Sequence, residues 1–188
     1  QRADLAGVDT AMDHSESYKT TDISLIARVA GATTGNNITS ETWYFGAKGD
    51  EVADYSYNFK LGTDLKKSTS IFFYKADFKR ASLVTSEDAM TRSDSYKVGD
   101  VTLAVRDAAD AATDNIQSET FYQKDKGDET ADYSYNFKLG SMDVKSVSVF
   151  YYGNQRALDA STEAAMNYSE SYKTTDISLV RRVVGAAT

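Results

Sequence analysis

The chain has no cysteine and no proline, and only one histidine and one tryptophan. Without cysteine there are no disulfides, no thiolate metal ligands and no thiol nucleophile, although the redox compartment stays open because many exported proteins also lack it. Without proline, no rigid Pro turn forms and no Pro guards a strand edge, so edges must be covered or used. No apolar run approaches about 18 residues, which excludes a membrane-spanning helix or a signal peptide within these residues. Positive charge is in the minority, with 21 Lys and Arg against 28 Asp and Glu, a net charge of −7 and a pI near 4.7. A phosphate backbone is bound through clustered Lys and Arg, so nucleic acid is not an expected partner.

Catalytic signatures are also missing. The sequence contains no GxGxxG, no P-loop and no HExxH. Its lone His14 aligns within the internal repeats described below with Arg92 and Tyr168, and no Ser-His-Asp constellation surrounds it. His14 is assigned no function, and the chain is expected not to be an enzyme. Gln1 opens the sequence where an initiator Met would stand, which reads as a processed, exported chain.

What is present is repetition. One segment, A, is written three times, as AMDHSESYKTTDISLIAR at 11–28, AMTRSDSYKVGDVTLAVR at 89–106 and AMNYSESYKTTDISLVRR at 165–182. A second, B, is written twice, as SETWYFGAKGDEVADYSYNFKLG at 40–62 and SETFYQKDKGDETADYSYNFKLG at 118–140, giving an order A-B-A-B-A with a period near 77 residues. Residues 11–34 match 165–188 at 18 of 24 positions but the middle copy at only 10, so the outer A copies are the close pair. The two B copies agree at 18 of 23 positions.

The B segment has a period of two. In ADYSYNFKLG, Ala53, Tyr55, Tyr57, Phe59 and Leu61 fall on one face, with Asp54, Ser56, Asn58 and Lys60 on the other, the pattern of a half-buried strand. The preceding TWYFGAK or TFYQKDK reads as its hairpin partner, with Gly49 or Gly127 in the turn, and STSIFFYKADF or SVSVFYYG as a third strand. In the A segment, SESYK and ISLIARV read as a further hairpin across Thr20 and Thr21, replaced by Val98 and Gly99 in the middle copy. Ile23, Leu25, Ala27 and Val29 then face inward, with Ser24 and Arg28 outward. The lead-ins ADLAGVDTAM, ASLVTSEDAM and ALDASTEAAM read as short helices or packed loops.

About five strands per period give a mainly β chain, expected to form an antiparallel sandwich or barrel. The expected organisation is a first β repeat over 1–78, a second over 79–154 and an extra A half-repeat over 155–188 that caps the array or donates strands.

Two features invite ligands. Asp50, Glu51 and Asp54 in one copy, and Asp125, Asp128, Glu129 and Asp132 in the other, crowd oxygen ligands around matched turns, as Ca2+ requires, although the spacing is not that of an EF-hand and a solvated acidic face has the same pattern. Asp22, Asp100 and Asp176 carry the same ambiguity. Thirteen Tyr, eight Phe and Trp43 could offer a sugar platform, with Tyr44 or Tyr122 as its outward members, but alternating aromatics also serve as cross-strand core pairs.

The count of three A segments to two B segments is the more specific signal. If each B sheet is completed by one A segment, an A segment is left to add to another chain through main-chain hydrogen bonds. The expected function is thus a structural subunit of an extracellular fibre or cell-surface assembly, a homo-polymer joined through its terminal A segments and not membrane-spanning. The alternative is a monomeric lectin-like or adhesin-type binding module holding Ca2+. Tandem β repeats occur in many fibre and adhesin subunits, a likeness of architecture that carries no residues across.

Overall fold

The period of two along residues 53–59 is realised as strand because it sorts rings to one side of the backbone and small polar groups to the other. A computed structural model of the chain describes residues 7, 9–106 and 114–181. It contains nine strands, β1 (His14–Tyr18), β2 (Ile38–Phe45), β3 (Val52–Phe59), β4 (Lys66–Tyr74), β5 (Met90–Tyr96), β6 (Ile116–Gln123), β7 (Thr130–Phe137), β8 (Val144–Tyr152) and β9 (Met166–Tyr172). Each pairs antiparallel with the next, in chain order, as a single meander.

The expected sandwich or barrel gives way to an open sheet. Among the described residues there is no second sheet, and β9 does not pair with β1, as barrel closure requires. Every strand pairs with its neighbour in sequence, and loops supply the second layer that a second sheet would have given. The apolar core is correspondingly divided into small clusters along the sheet. One joins Ile71, Tyr96, Ile116 and Phe137 at the middle, and another joins Val147, Val149 and Tyr151 beneath β9.

Register repeats along the sheet. His14, Ser15, Glu16 and Ser17 lie opposite Trp43, Thr42, Glu41 and Ser40, and 78 residues later Arg92, Ser93, Asp94 and Ser95 lie opposite Phe121, Thr120, Glu119 and Ser118. A bulge follows at the matching place, between Ser17 and Tyr18 and between Ser95 and Tyr96. Directly paired residues share a face. One face therefore carries Glu41, Trp43, Tyr55, Tyr57, Ile71, Asp94, Tyr96, Glu119, Phe121, Tyr133 and Tyr135, while the other carries ranks of Ser, Thr and Asn. On that polar face Thr42 Oγ1 donates to Ser56 Oγ at 3.1 Å, and Asn136 Nδ2 donates to Ser148 Oγ at 3.0 Å.

The A segment forms one strand, not a hairpin, so each period has four strands. In place of the second strand stands a 3-10 turn, at Ile23–Leu25, Val101–Leu103 and Ile177–Leu179. The cause is local: Asp22, Asp100 and Asp176 are N-caps that accept from the backbone N–H two residues on, at 2.8, 2.9 and 2.8 Å. This accounts for the three acidic residues left ambiguous by the sequence. Ile23, Leu25 and Val29, expected inside, are exposed, and Arg28 turns inward. Gly99 does not adopt a positive φ; a Cβ there would lie 2.7 Å from Lys66 Cβ, so its smallness admits β4. Gly49 and Gly127 do take positive φ, 88° and 91°, as their turns demand.

The lead-ins pack as turns. The second includes a 3-10 turn at Ala81–Leu83, and the third carries Ala157 and Ala160 against Tyr152. Half of the first, residues 3–6 and 8, lies outside the described residues. Leu61 lies beyond the end of β3 and is exposed.

Candidate functional site

The three A segments share a sequence but not an environment, and this difference is the most informative feature of the surface. Among the described residues, β5 lies between β4 and β6, whereas β1 has a neighbour only in β2 and β9 only in β8. The middle copy therefore shows a complete setting, and the outer copies each show half of it.

At the middle copy Arg92, Asp94 and Glu119 are sealed in, while Arg106 reaches them from a more exposed position. Asp94 and Glu119 face each other across β5 and β6 and are almost fully buried. Arg92 Nε lies 2.9 Å from Asp94 Oδ1, Arg106 Nη1 lies 2.9 Å from Glu119 Oε1, and Tyr96 Oη donates to Asp94 Oδ2 at 3.2 Å. Arg92 is also held between rings, its guanidinium 4.2 Å from the centre of Phe73 and 4.6 Å from that of Phe78. Burial raises the pKa of both carboxyls above the ordinary range, against the lowering influence of Arg92 and Arg106; for Glu119 the charge of Asp94 adds to the rise.

The sign of the pH dependence follows. A carboxyl whose folded pKa is raised favours the fold below its unfolded pKa, and that contribution is lost as pH rises through the folded value. In urea melts, the wild-type chain is expected to lose stability relative to D94N/E119Q as pH increases from about 4 to about 7. A constant difference between the two chains over that range would show that neither carboxyl is perturbed in the folded state.

The first copy has an equivalent arrangement that is open on one side. Glu16 faces Glu41 across β1 and β2, and Arg28 Nη1 contacts Glu16 and lies 3.1 Å from Glu41 Oε1, while its Nε donates to Asp64 Oδ1 at 3.1 Å. Tyr18 Oη donates to Glu16 Oε2 at 2.5 Å. The pKa of Glu16 is lowered: burial opposes the shift, but the bonds from Tyr18 and Arg28 outweigh it. Ligand atoms of His14, Glu16 and Glu41 lie within 4.8 Å of one another, the one grouping of this kind among the described residues. The Arg28 guanidinium already contacts both carboxylates and Asp64, so the grouping is built as an ion-pair network around one arginine.

At the third copy, Glu170 occupies the position of Glu16 and accepts from Tyr172 Oη. Tyr168, in the position of His14, stacks on Tyr151 with ring centres 4.8 Å apart. Arg182, the counterpart of Arg28, lies outside the described residues. Among the described residues, no strand flanks β9 on the side where β1 meets β2 and β5 meets β6.

The 3-10 turns report the opposite flank. Val101 packs against the clusters containing Tyr57, and its N–H points to Tyr57 Oη at 3.4 Å. Ile177 packs on Val147, Val149 and Tyr151, with its N–H 3.4 Å from Tyr135 Oη. Ile23 has no B strands on that side among the described residues and is 76% exposed. Among the described residues, the first A segment thus has no B unit on its left and the third has none on its right.

The acidic residues singled out for Ca2+ are distributed among separate partners. Asp54 and Asp132 each take a two-pronged contact from an arginine, Arg80 at 2.6 Å and Arg156 at 2.5 Å. Glu51 and Glu129 close their own turns through the N–H groups of Gly49 and Gly127, both at 2.9 Å, and tie down the preceding A segments by accepting from Met12 N at 3.0 Å and Met90 N at 3.2 Å. Asp50 accepts from Ser86 Oγ at 2.8 Å, and Asp125 and Asp128 are bridged through the backbone at 3.0 Å. None of these seven belongs to a three-residue ligand grouping among the described residues. Tyr44 and Tyr122, the outward aromatics, bond to Ser15 Oγ at 3.0 Å and Ser93 Oγ at 3.1 Å across the polar face.

Sequence reasoning passed over Glu16, Arg28, Glu41, Arg92, Asp94 and Glu119. A signal was present: acid recurs at 16, 94 and 170 and at 41 and 119, and Arg at 28, 106 and 182, on segments otherwise patterned for burial. Comparison with protein-family models, with curated proteins and with solved structures returns no match to this chain.

Proposed function

We propose that the protein is a structural subunit that self-associates edge to edge into an extended β assembly, of the kind found in extracellular fibres and on cell surfaces. The observation that carries this reading is the pair of half-completed A segments at opposite edges of one open sheet. An unguarded edge strand offers a row of main-chain donors and acceptors, and natural sheets usually blunt such edges with proline, inward charge or a covering element. Here both outer strands keep the alternating pattern of the interior strand β5, their inward acids Glu16 and Glu170 have a counterpart in Asp94 of that paired strand, and the chain has no proline with which to interrupt the pattern. A net charge of −7 opposes indiscriminate association, which leaves a specific, register-matched contact as the favoured one.

Heterologous addition, in which one edge meets a different edge, propagates into filaments unless the rotation closes a ring. Electron microscopy and sedimentation of the purified chain are expected to show filaments or rings built from a repeat of one sheet, and they are expected to survive a chelator, because the acidic turns already have internal partners. A monodisperse monomer at all concentrations would overturn the proposal. Filaments that dissolve in chelator would instead make the acidic turns the joint.

A further inference from the structure

Resting on that reading of the edges, we infer that the joint is an exchange: β9 of one copy takes the place of β1 on β2 of a second copy. The acceptor is identified by what already sits there. Residues 166–179, MNYSESYKTTDISL, match residues 12–25, MDHSESYKTTDISL, at 12 of 14 positions, with an unbroken identity from Ser169 to Leu179. β9 therefore carries the side chains that β1 places on β2 in the same order, with Tyr168 in place of His14.

Each β1 contact has a named replacement. Glu16 reaches Arg28, and Glu170 supplies the same carboxylate. Ser15 Oγ meets Tyr44 Oη at 3.0 Å, and Ser169 supplies that hydroxyl. Ser17 O accepts from Thr39 Oγ1 at 3.0 Å, and Ser171 supplies that carbonyl. Met12 N donates to Glu51 Oε1, and Met166 N takes its place. Where His14 stacks on Trp43 at 4.9 Å, Tyr168 brings a ring already stacked on Tyr151, so the row Tyr151, Tyr168, Trp43, Tyr55 would run through the joint.

The acceptor side stays in place when β1 leaves. Arg28 is held to Glu41 and Asp64, not only to Glu16. Its loop is fastened to β2 through Asn37, whose side chain accepts from Ala27 N at 2.9 Å and donates to Leu25 O at 2.8 Å, and through Asn36, which accepts from Val29 N at 2.7 Å. The choice of β9 as the strand that stays with its own sheet, and β1 as the one that leaves, follows from their seating. β9 is seven residues long and its 3-10 turn is anchored on the Val147, Val149 and Tyr151 cluster. β1 is five residues long and its following turn leaves Ile23 bare. After exchange, the shared A segment has B strands on both sides, the setting seen at β5.

Disulfide trapping tests the joint, because the chain has no cysteine of its own. Ser15 lies opposite Thr42, so an incoming Ser169 in the same register also lies opposite Thr42. Full-length S169C and T42C chains, one of them isotopically labelled, are mixed, incubated under assembly conditions and oxidised. The expected main product is the mixed dimer, lost when S148C on interior β8 replaces S169C. Filaments without the mixed dimer would overturn the exchange while leaving edge-to-edge assembly standing. A monomeric S169C/T42C chain linked within itself would show instead that β9 closes onto its own β2, and would also overturn it. Absence of any assembly would remove the reading on which the exchange rests.

Discussion

Tying β1 to β2 within one chain is expected to abolish assembly, and cutting the tie is expected to restore it. In S15C/T42C the two cysteines occupy residues that already lie opposite each other, a separation within the reach of a disulfide. Neither side chain belongs to the aromatic face, so the Arg28 network and the stacking of His14 on Trp43 are left intact. The oxidised chain keeps its own β1 in the only place where β9 of another chain could add in register, and it should remain monomeric at concentrations where wild type forms filaments. Reduction should bring back filaments of wild-type form. The same locked chain carries an untouched β9, so it should still bind the end of a wild-type filament and stop its growth there. Dynamic light scattering with and without reductant reads the first effect, and seeded growth reads the second. Assembly of the oxidised chain at the wild-type rate would show that β2 is not the acceptor.

The B strands were legible because their signal is local: alternation along residues 53–59 and 131–137, with a glycine turn ahead of each, determines strand, face and hairpin together. Whether such strands close, stack or stay open was not, since a strand with rings on one side and serines on the other reads identically in a sandwich and in an open sheet. The A segment misled for a specific reason. ISLIARV alternates well enough for a strand, but Asp22 caps a 3-10 turn at its start, and β2 already has neighbours on both sides. Arg28 was read as outward-facing because arginine usually is; its burial depends on Glu41 and Asp64, which are distant in sequence and reach it only through the sheet register. The mismatch in repeat count was visible from the start. The structure gives it physical content by showing which flank of each outer copy is incomplete.

Arg92→Ala is expected to have the largest effect on stability of any single substitution on the sheet. Arg92 is itself mostly buried, lies against Asp94 at 2.9 Å and Glu119 at 3.8 Å, and fills the space between Phe73 and Phe78. Removing one member of a buried ion pair leaves an uncompensated charge and costs about 3–5 kcal/mol, whereas replacing both members is far milder. Urea denaturation should therefore show a loss of that order for R92A, with partial recovery in R92A/D94N, where the stranded carboxylate has gone as well. Arg28→Ala makes the contrast. Its network stands at an edge, with Arg28 and Glu16 each about a quarter exposed, so water replaces part of what is lost and the cost should be smaller, about 1–3 kcal/mol. Filaments should reverse that ranking in part: once β9 of another copy adds in register on β2, the Arg28 network becomes interior, and R28A should weaken assembly by more than its effect on the isolated chain. R92A and R28A of equal cost in the monomer would mean that the edge network is already as well shielded as the one at β5.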